Sequence, residues 1–536
     1  MGSECQRSND VIGTGGAEGF AVKGDSNMAQ QLRFDDETED LVGLIEQTKP
    51  DEIIAETYTR LSKGESKERL LAAAALAVSR STVLPASHHG GPVHPVSGIY
   101  SVEALSKRNV GEKGFFPVIQ SVALANKHIH SPSMGPNILV QFDIAEFREM
   151  DDESLLAGFQ AALEQRMSTL AEKYLVLLLR RVPAGTIMDS LLKIAIPRNA
   201  LDDHYFLYTV FAFRALEIIG WQYAEAILRP PVRFLCRHPK LEHAGGERGK
   251  IIEDGISLYK RFEDFEQLIV DKGLDVAEIK VQTCEDETVA VDQLASEVDS
   301  ISNIADIVQP VIAQLAGGLS MMGVLEGLSL GGARRYLRSN TGNPFDVHLH
   351  TGINARRYLL SVEGLSQKAR LLALLSWGQG YEIRHLDRTL QWDPTRVSLL
   401  TALPEGSSEQ EAIDSIAKHL ECQQQFDLNT LEGSIAELRA PESVLHITKM
   451  ADDYLKRGHD PEALFKFLAF DVCKDDQSEM HAYKMQQAAY EEYTHSRKRF
   501  RDAHLLAAVK HAATVARLGP RTVYPEVCSF LEGRNS

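Results

Sequence analysis

The chain lacks most of the sequence signals that would place it in a familiar redox or hydrolase class. Its six cysteines lie far apart, so it contains no CxxC pair of the kind found in redox and thiolate zinc sites. Widely spaced, unpaired cysteines are typical of a reducing compartment, where disulfides do not persist. We therefore expect a cytoplasmic protein without structural disulfides.

Nucleotide-binding loops and nucleophile elbows are also missing. The sequence contains neither GxxxxGK[ST] nor GxSxG. GTGGAEG, at positions 13 to 19, is rich in glycine but follows no predicted strand. It lies in a stretch rich in Gly, Ser and Asn, which predicts a disordered tail over residues 1–30.

Positive charge and long apolar runs are scarce as well. The formal net charge is −18, and no Lys/Arg run is interleaved with aromatic residues, so we expect no nucleic-acid partner. The most apolar stretch, residues 307–332, carries Pro310 and Glu326 and predicts a buried helical hairpin rather than a membrane span. We expect no membrane partner, and the sequence does not indicate an oligomeric state.

Helical periodicity is what the sequence has in abundance. Leu156, Phe159, Leu163, Met167 and Leu170 keep a spacing of three and four residues, and the pattern continues through KYLVLLLRR, which predicts one long core helix. Only GPNILVQFDI and AEIKVQTC resemble strands. We predict an all-α fold, a large mainly helical single body over residues 31–536 with few or no strands. The alternative is two subdomains joined by flexible connections near 238–250 and 403–412.

Histidines in apolar or Gly/Pro-rich settings are the main candidates for chemistry. They are His88, His89, His94, His128, His130, His204, His348, His350 and His481. A single histidine on an apolar face is usually a core residue, but several along a helical chain can converge on one point. In HAYK, His481 and Lys484 share one helix face, and a lysine on a core face requires a partner or a purpose.

Three motifs in chain order, HPVSGIYSVE, VHLHTG and HAYK, resemble those of the questin oxidase-like family. This mostly helical family includes non-haem iron oxygenases that act on aromatic polyketides such as anthraquinones, and the resemblance spans most of residues 50–510. In at least one branch, four histidines and a carboxylated lysine hold the iron. The resemblance implies Fe(II) bound by His94, His348 and His481, with His204 as the fourth histidine and CO2 held as a carbamate on Lys484.

The resemblance leaves two ligand positions open. The first motif has extra histidines, so its ligand is His88, His89 or His94, while His89 and His350 are substitutes for His204. The implied activity is that of a metal-dependent oxygenase or dioxygenase that oxidises a small organic, aromatic substrate with O2. Two other classes stay open, a helical scaffold protein without catalysis and a zinc-dependent hydrolase, because imidazole ligands suit iron, zinc and copper alike.

The chemistry of a buried lysine supports the implied carbamate. Burial disfavours the ammonium form and lowers the lysine pKa, which leaves a neutral amine able to react with CO2. The carbamate replaces a costly buried cation with an anionic oxygen ligand that a divalent metal stabilises. Asp203, Asp346 and Glu492 are candidates for acids that orient the imidazoles.

Overall fold

The computed structural model describes residues 30–85, 90–237, 246–389, 403–433, 435–519 and 521–535. The predicted N-terminal tail, up to residue 29, lies outside these ranges. His88 and His89 also lie outside them, so the structure places only His94 of the three candidates in the first motif. Of the two predicted connections, residues 238–245 are outside the described ranges, and residues 403–408 lead into a helix that begins at Glu409.

The described residues form a large, mainly helical body, which confirms the predicted fold class. The α-helices, labelled α1 to α25 in chain order, span Asp36–Gln47, Ile53–Ser62, Lys67–Ser81, Val93–Ser97, Ile99–Arg108, Phe115–Ile129, Asp152–Glu164, Ser168–Leu178, Ala184–Arg198, His204–Ile219, Ala224–Leu235, Gly246–Lys260, Phe262–Asp271, Thr288–Ser300, Val308–Ala316, Met321–Arg338, His348–Ser361, Gln367–Leu375, Tyr381–His385, Glu409–Glu421, Glu442–Lys456, Pro461–Asp471, His481–His495, Asp502–Val515 and Val523–Asn535. Ser66, Ser320 and Ser366 each cap a helix by accepting a hydrogen bond from the backbone N–H three residues later.

Strands contribute little to the described part of the chain. Two-residue strands β1, Phe426–Asp427, and β2, Leu518–Gly519, pair in parallel. Neither of the two strand-like sequence runs forms a strand, although Val140 makes an isolated bridge with Gln31. Their β-branched residues therefore lie in loops.

The long helix predicted around Phe159 is divided into two. Helix α7 ends at Glu164 and α8 begins at Ser168, with Arg166 between them in a left-handed conformation at φ 61°. The apolar periodicity continues through the turn because both helices bury residues such as Phe159 and Leu175. Neither glycine nor proline marks the turn, so the sequence pattern could not reveal it.

The apolar stretch of residues 307–332 forms the predicted buried hairpin of α15 and α16. Its one acidic residue, Glu326, is 2% exposed and accepts a hydrogen bond from the backbone N–H of Arg497, at 2.7 Å, as well as pairing with the Arg497 guanidinium. No α-helix within the described ranges combines the length and the apolar character needed to cross a bilayer.

A buried ion pair joins three core helices. Glu492 on α23 is fully buried and accepts two hydrogen bonds from Arg357 on α17, at 2.7 and 2.6 Å, and a third from Ser329 on α16, at 2.8 Å. Burial by itself would raise the pKa of Glu492, but the Arg357 guanidinium outweighs it and lowers this pKa to about 2. The Glu492–Arg357 pair is therefore a clamp that stays charged at neutral pH and fixes α17 against α23.

We expect Arg357→Met to destabilise the protein by roughly 3–5 kcal/mol, because it leaves the Glu492 carboxylate buried without a counter-charge. Urea unfolding at pH 7 measures this loss. Since the pKa of Glu492 is lowered by folding, the stabilisation is present above its ordinary value of 4.5 and is lost as the pH falls towards 2.

A matched control is Lys49→Met, which removes an exposed pair with Glu52 and should change the unfolding free energy by less than about 1 kcal/mol. If Arg357→Met were no more destabilising than this control, the clamp would not be a structural constraint.

Candidate metal centre

The first turns of four helices meet at one point in the interior. His204, His348 and His481 are the first residues of α10, α17 and α23, and His94 is the second residue of α4. Helix α10 packs against both α4 and α17, and α17 packs against α23. The same local position on different helices therefore brings distant parts of the chain together.

The four imidazoles lie side by side and are buried. Ring centroids are 4.5 Å apart for His94 and His481, 5.0 Å for His204 and His348, 5.3 Å for His94 and His204, and 5.4 Å for His348 and His481. His94, His204 and His481 each offer a ring nitrogen, and these three nitrogens lie within 4.8 Å of one another. The structure thus brings together the four histidines singled out from the sequence, while metal ligation by them stays a prediction.

Lys484 lies among these rings one turn along α23. It is 3% exposed, and its Nζ lies 3.0 Å from Nδ1 of His94, 390 residues away in the sequence. It forms no ion pair with any residue in the described ranges. Burial lowers the pKa of Lys484 to about 7, and the more distant Glu479 and Glu382 only partly oppose this effect.

Two of the imidazoles are oriented by hydrogen bonds on the side away from the cluster. Nδ1 of His204 bonds to Oδ1 of Asp202 at 2.8 Å, and Nδ1 of His481 bonds to the backbone oxygen of Ser478 at 2.6 Å. Such outer partners fix the tautomer of a metal-binding histidine, and they leave Nε2 of each ring as the nitrogen that could bind a metal. Asp202 was not among the residues predicted from the sequence, although it lies only two residues before His204.

His94 has a carboxylate on its outer side. Nε2 of His94 is 3.3 Å from Oε2 of Glu479, which also accepts a hydrogen bond from the Gly91 N–H at 3.2 Å. Glu479 and Met480 adopt left-handed conformations, with φ of 50° and 66°, directly before α23 begins. Two such non-glycine residues cost about 1–3 kcal/mol each. The two strained residues allow Glu479 to contact His94, and they directly precede His481, the first residue of α23.

His348 lies beside two acidic side chains. Its Nδ1 is 3.2 Å from Oε2 of Glu382, but the angles do not make a hydrogen bond. Asp203 accepts a hydrogen bond from the backbone N–H of Glu382 at 2.8 Å, so both carboxylates lie next to the cluster. Burial and the neighbouring Glu382 raise the pKa of Asp203 well above its usual range.

The other two acids proposed from the sequence have different partners. Asp346 accepts hydrogen bonds from Thr341 and Asn343, and Glu492 belongs to the ion pair with Arg357. Neither has a hydrogen bond or ion pair with the four imidazoles among the described contacts. Glu382 takes the place expected for such an acid. It was visible in the sequence as part of EIRH, a pattern too common to be informative by itself.

His350, the alternative fourth ligand, lies outside the cluster. It is two residues beyond His348 on α17 and packs against the rings of Tyr336, at 5.7 Å, and His504, at 6.4 Å. Residues two apart on a helix point in different directions, so only one of the two histidines of VHLHTG can face the centre. The structure brings His204 to the centre and His350 to a separate place.

The electrostatics of the centre favour neutral nitrogen donors. Burial lowers the pKa of His348 to about 3 and holds those of His94 and His481 well below the usual range. For His204, burial opposes protonation but the Asp202 carboxylate outweighs it and raises the pKa. The positive ends of α10, α17 and α23 further disfavour cationic side chains and favour an anionic group. Three imidazoles that stay neutral, a fourth held by Asp202 and an amine with a pKa of about 7 fit a divalent metal with an anionic fifth ligand.

Comparison with known proteins identifies no relative for this chain, since no protein-family model, no curated protein and no solved structure matches it.

We expect Asp202→Asn to lower the affinity for Co(II) by about 10- to 100-fold, because the amide carries no charge and can turn its NH2 group to the ring, so the His204 tautomer is no longer fixed. Anaerobic titration with Co(II), followed by its visible absorption bands, measures the affinity. Asp40→Asn, an exposed residue on α1, is the matched control and should bind Co(II) like the unmodified protein. Equal affinities for both variants would contradict the assigned role of Asp202.

Proposed function

We propose that this protein is a non-haem iron oxygenase whose Fe(II) is held by His94, His204, His348, His481 and a carboxylated Lys484. One observation carries the proposal: four imidazoles and a lysine that has no carboxylate ion-pair partner among the described residues are buried around the same point. A core built only for stability would have no reason to gather five titratable groups of the same charge type, since each costs desolvation energy.

Carboxylation explains the position of Lys484. The neutral Nζ attacks the carbon of CO2, a bond forms between nitrogen and carbon, and one N–H proton leaves to yield the carbamate anion. Nδ1 of His94, at 3.0 Å, is placed to take this proton, and the ring must pass it on to solvent before His94 can bind a metal. Nε2 of the same ring faces Glu479 at 3.3 Å, and the Glu479 side chain is 31% exposed, which supplies a route to solvent.

The surroundings favour the product of this reaction over the starting amine. An ammonium at Lys484 meets the positive ends of three helices in a dry interior, whereas a carbamate is stabilised by the same dipoles. Four imidazoles and one carbamate oxygen would supply five donor atoms to a metal. The chain would therefore provide the nitrogen donors and one anionic charge.

When bound, Fe(II) supplies the one-electron chemistry that activates O2 for reaction with an organic substrate. The protein's own contribution is to fix the imidazole tautomers through Asp202 and Ser478 and to keep the centre dry. The sequence contains no nicotinamide- or flavin-binding fingerprint, so we propose that the substrate supplies the electrons. The resemblance to the questin oxidase-like family suggests that this substrate is aromatic and oxidisable.

The protein reconstituted anaerobically with Fe(II) should retain iron after desalting and consume O2 when given a hydroxylated anthraquinone or naphthoquinol. Lys484→Met should lose both properties, because it removes the anionic ligand but keeps the length of the side chain. Lys484→Glu should recover part of the iron binding, since it restores a carboxylate. Lys449→Met, which breaks an ion pair with Asp453 on α21, is the control and should behave like the unmodified protein.

The alternatives predict different results in the same experiment. A protein that folds stably and binds no metal would be a helical scaffold, and one that binds zinc and hydrolyses its substrate without O2 would be a hydrolase. Either result would overturn the oxygenase proposal.

Iron binding should depend on CO2 and on pH. Because the pKa of Lys484 is lowered to about 7, the amine is largely neutral above this pH and protonated below it. We expect iron affinity to rise as the pH increases through 7 and to fall when CO2 is removed from the buffer. With carbon-13-labelled bicarbonate, a carbamate NMR signal should be present in the unmodified protein and absent from Lys484→Met.

A further inference from the structure

Three side chains next to the four-histidine cluster form a group of a different chemical character. Asp203, His348 and Glu382 each offer one ligand atom, and these three atoms lie within 4.8 Å of one another. They come from three separate elements, the turn before α10, the first turn of α17 and the short helix α19. Asp203 and His348 are each 2% exposed, and the Glu382 side chain is 20% exposed.

The contact between His348 and Glu382 has the spacing of two ligands of one metal ion. Nδ1 of His348 and Oε2 of Glu382 are 3.2 Å apart without forming a hydrogen bond, and neither atom has another hydrogen-bond partner in the described ranges. Metal bonds of about 2.0–2.2 Å at tetrahedral or octahedral angles place neighbouring ligand atoms about 2.8–3.6 Å apart. An orienting hydrogen bond, the other use of such an acid, is not made here.

The position of Asp203 is also fixed for this purpose. Its Oδ2 accepts a hydrogen bond from the Glu382 N–H at 2.8 Å, which holds the two carboxylates beside each other. Gly380 makes room for the carboxylate, because a Cβ atom at this position would collide with Oδ1 of Asp203. Any larger residue at 380 would therefore push the acid out of place.

The charges of the Asp203 and Glu382 carboxylates also bear on what this group of side chains can bind. Two carboxylates held together at low dielectric repel each other, which the raised pKa of Asp203 reflects, and either a shared proton or a metal cation between them removes this repulsion. Neither Asp203 nor Glu382 forms an ion pair with a lysine or arginine within the described ranges. Two carboxylate oxygens and one imidazole nitrogen are a donor set that suits divalent manganese, iron or zinc.

We propose that Asp203, His348 and Glu382 bind a second divalent transition-metal ion, adjacent to the four-histidine centre. To bind this ion through Nδ1 while Nε2 faces the four-histidine centre, the His348 ring would release its N–H proton to solvent, and the resulting imidazolate would bridge a nitrogen-rich site and an oxygen-rich site. The inference rests on the proposed function only for the role of His348 at the first centre.

Mn(II) alone tests the second site on the full-length protein, because free Mn(II) is counted by its electron paramagnetic resonance signal. We expect two Mn(II) ions per chain for the unmodified protein, with the broadened spectrum of two nearby ions. Asp203→Asn should bind one ion and give the spectrum of an isolated Mn(II). His94→Ala should weaken the other ion and retain the one at Asp203.

Gly380→Ala is a second variant that leaves every ligand in place and displaces only the Asp203 carboxylate, so it should also bind one ion. Asp453→Asn, a similarly buried acid paired with Lys449 on α21, is the matched control and should bind two. Circular dichroism and gel filtration confirm that each variant is folded.

The outcomes separate this inference from the proposed function. One Mn(II) in the unmodified protein, unaffected by Asp203→Asn, would overturn the second site and leave the four-histidine centre intact. Two ions that persist in both Asp203→Asn and Gly380→Ala would place the second ion elsewhere and would also overturn the inference. No bound ion in any form would overturn both proposals.

Discussion

The cost of burying the amine of Lys484 is the constraint around which this interior is arranged. A lysine ammonium is disfavoured here by burial and by the positive ends of three helices, and the more distant Glu479 and Glu382 only partly offset this cost. Among the described residues, its Nζ lies 3.0 Å from Nδ1 of His94. A group that reacts with the amine and brings a negative charge would relieve all of these costs together, and a divalent metal would then be held by that charge.

Contacts in the segment before α23 hold this arrangement in place. Ser478 accepts from the His481 ring through its backbone oxygen, and its hydroxyl accepts from the backbone N–H of Ala482 and donates to the buried carboxylate of Asp475. The strained residues Glu479 and Met480 follow directly. Since α23 cannot slide along its axis without breaking these contacts, the positions of His481 and Lys484 are set by the segment before the helix as much as by the helix itself.

The ion pair of Glu492 and Arg357 holds α23 and α17 together about three turns from the cluster. Both helices begin with a histidine of the cluster, so the clamp fixes the relative position of these two imidazoles at a distance. The surroundings of the cluster differ from one side to the other. His94 faces the partly exposed Glu479, and His348 faces Asp203 and the mostly buried Glu382. In our proposals, the first side is a route for protons and the second a place for another cation.

Local patterns in the sequence determined the helical class, the hairpin of α15 and α16, and the shared face of His481 and Lys484, because a 3.6-residue repeat acts over a few residues. The resemblance of three motifs singled out His94 and His348 beyond what periodicity could show, and His204 was the candidate for the fourth histidine because it opens a long apolar helix. Only the tertiary structure decided that these rings meet, that His350 turns away, and that Asp202 and Glu382 stand behind the ligands. These relations depend on how α4, α10, α17 and α23 pack, and packing joins residues hundreds of positions apart that no local repeat connects.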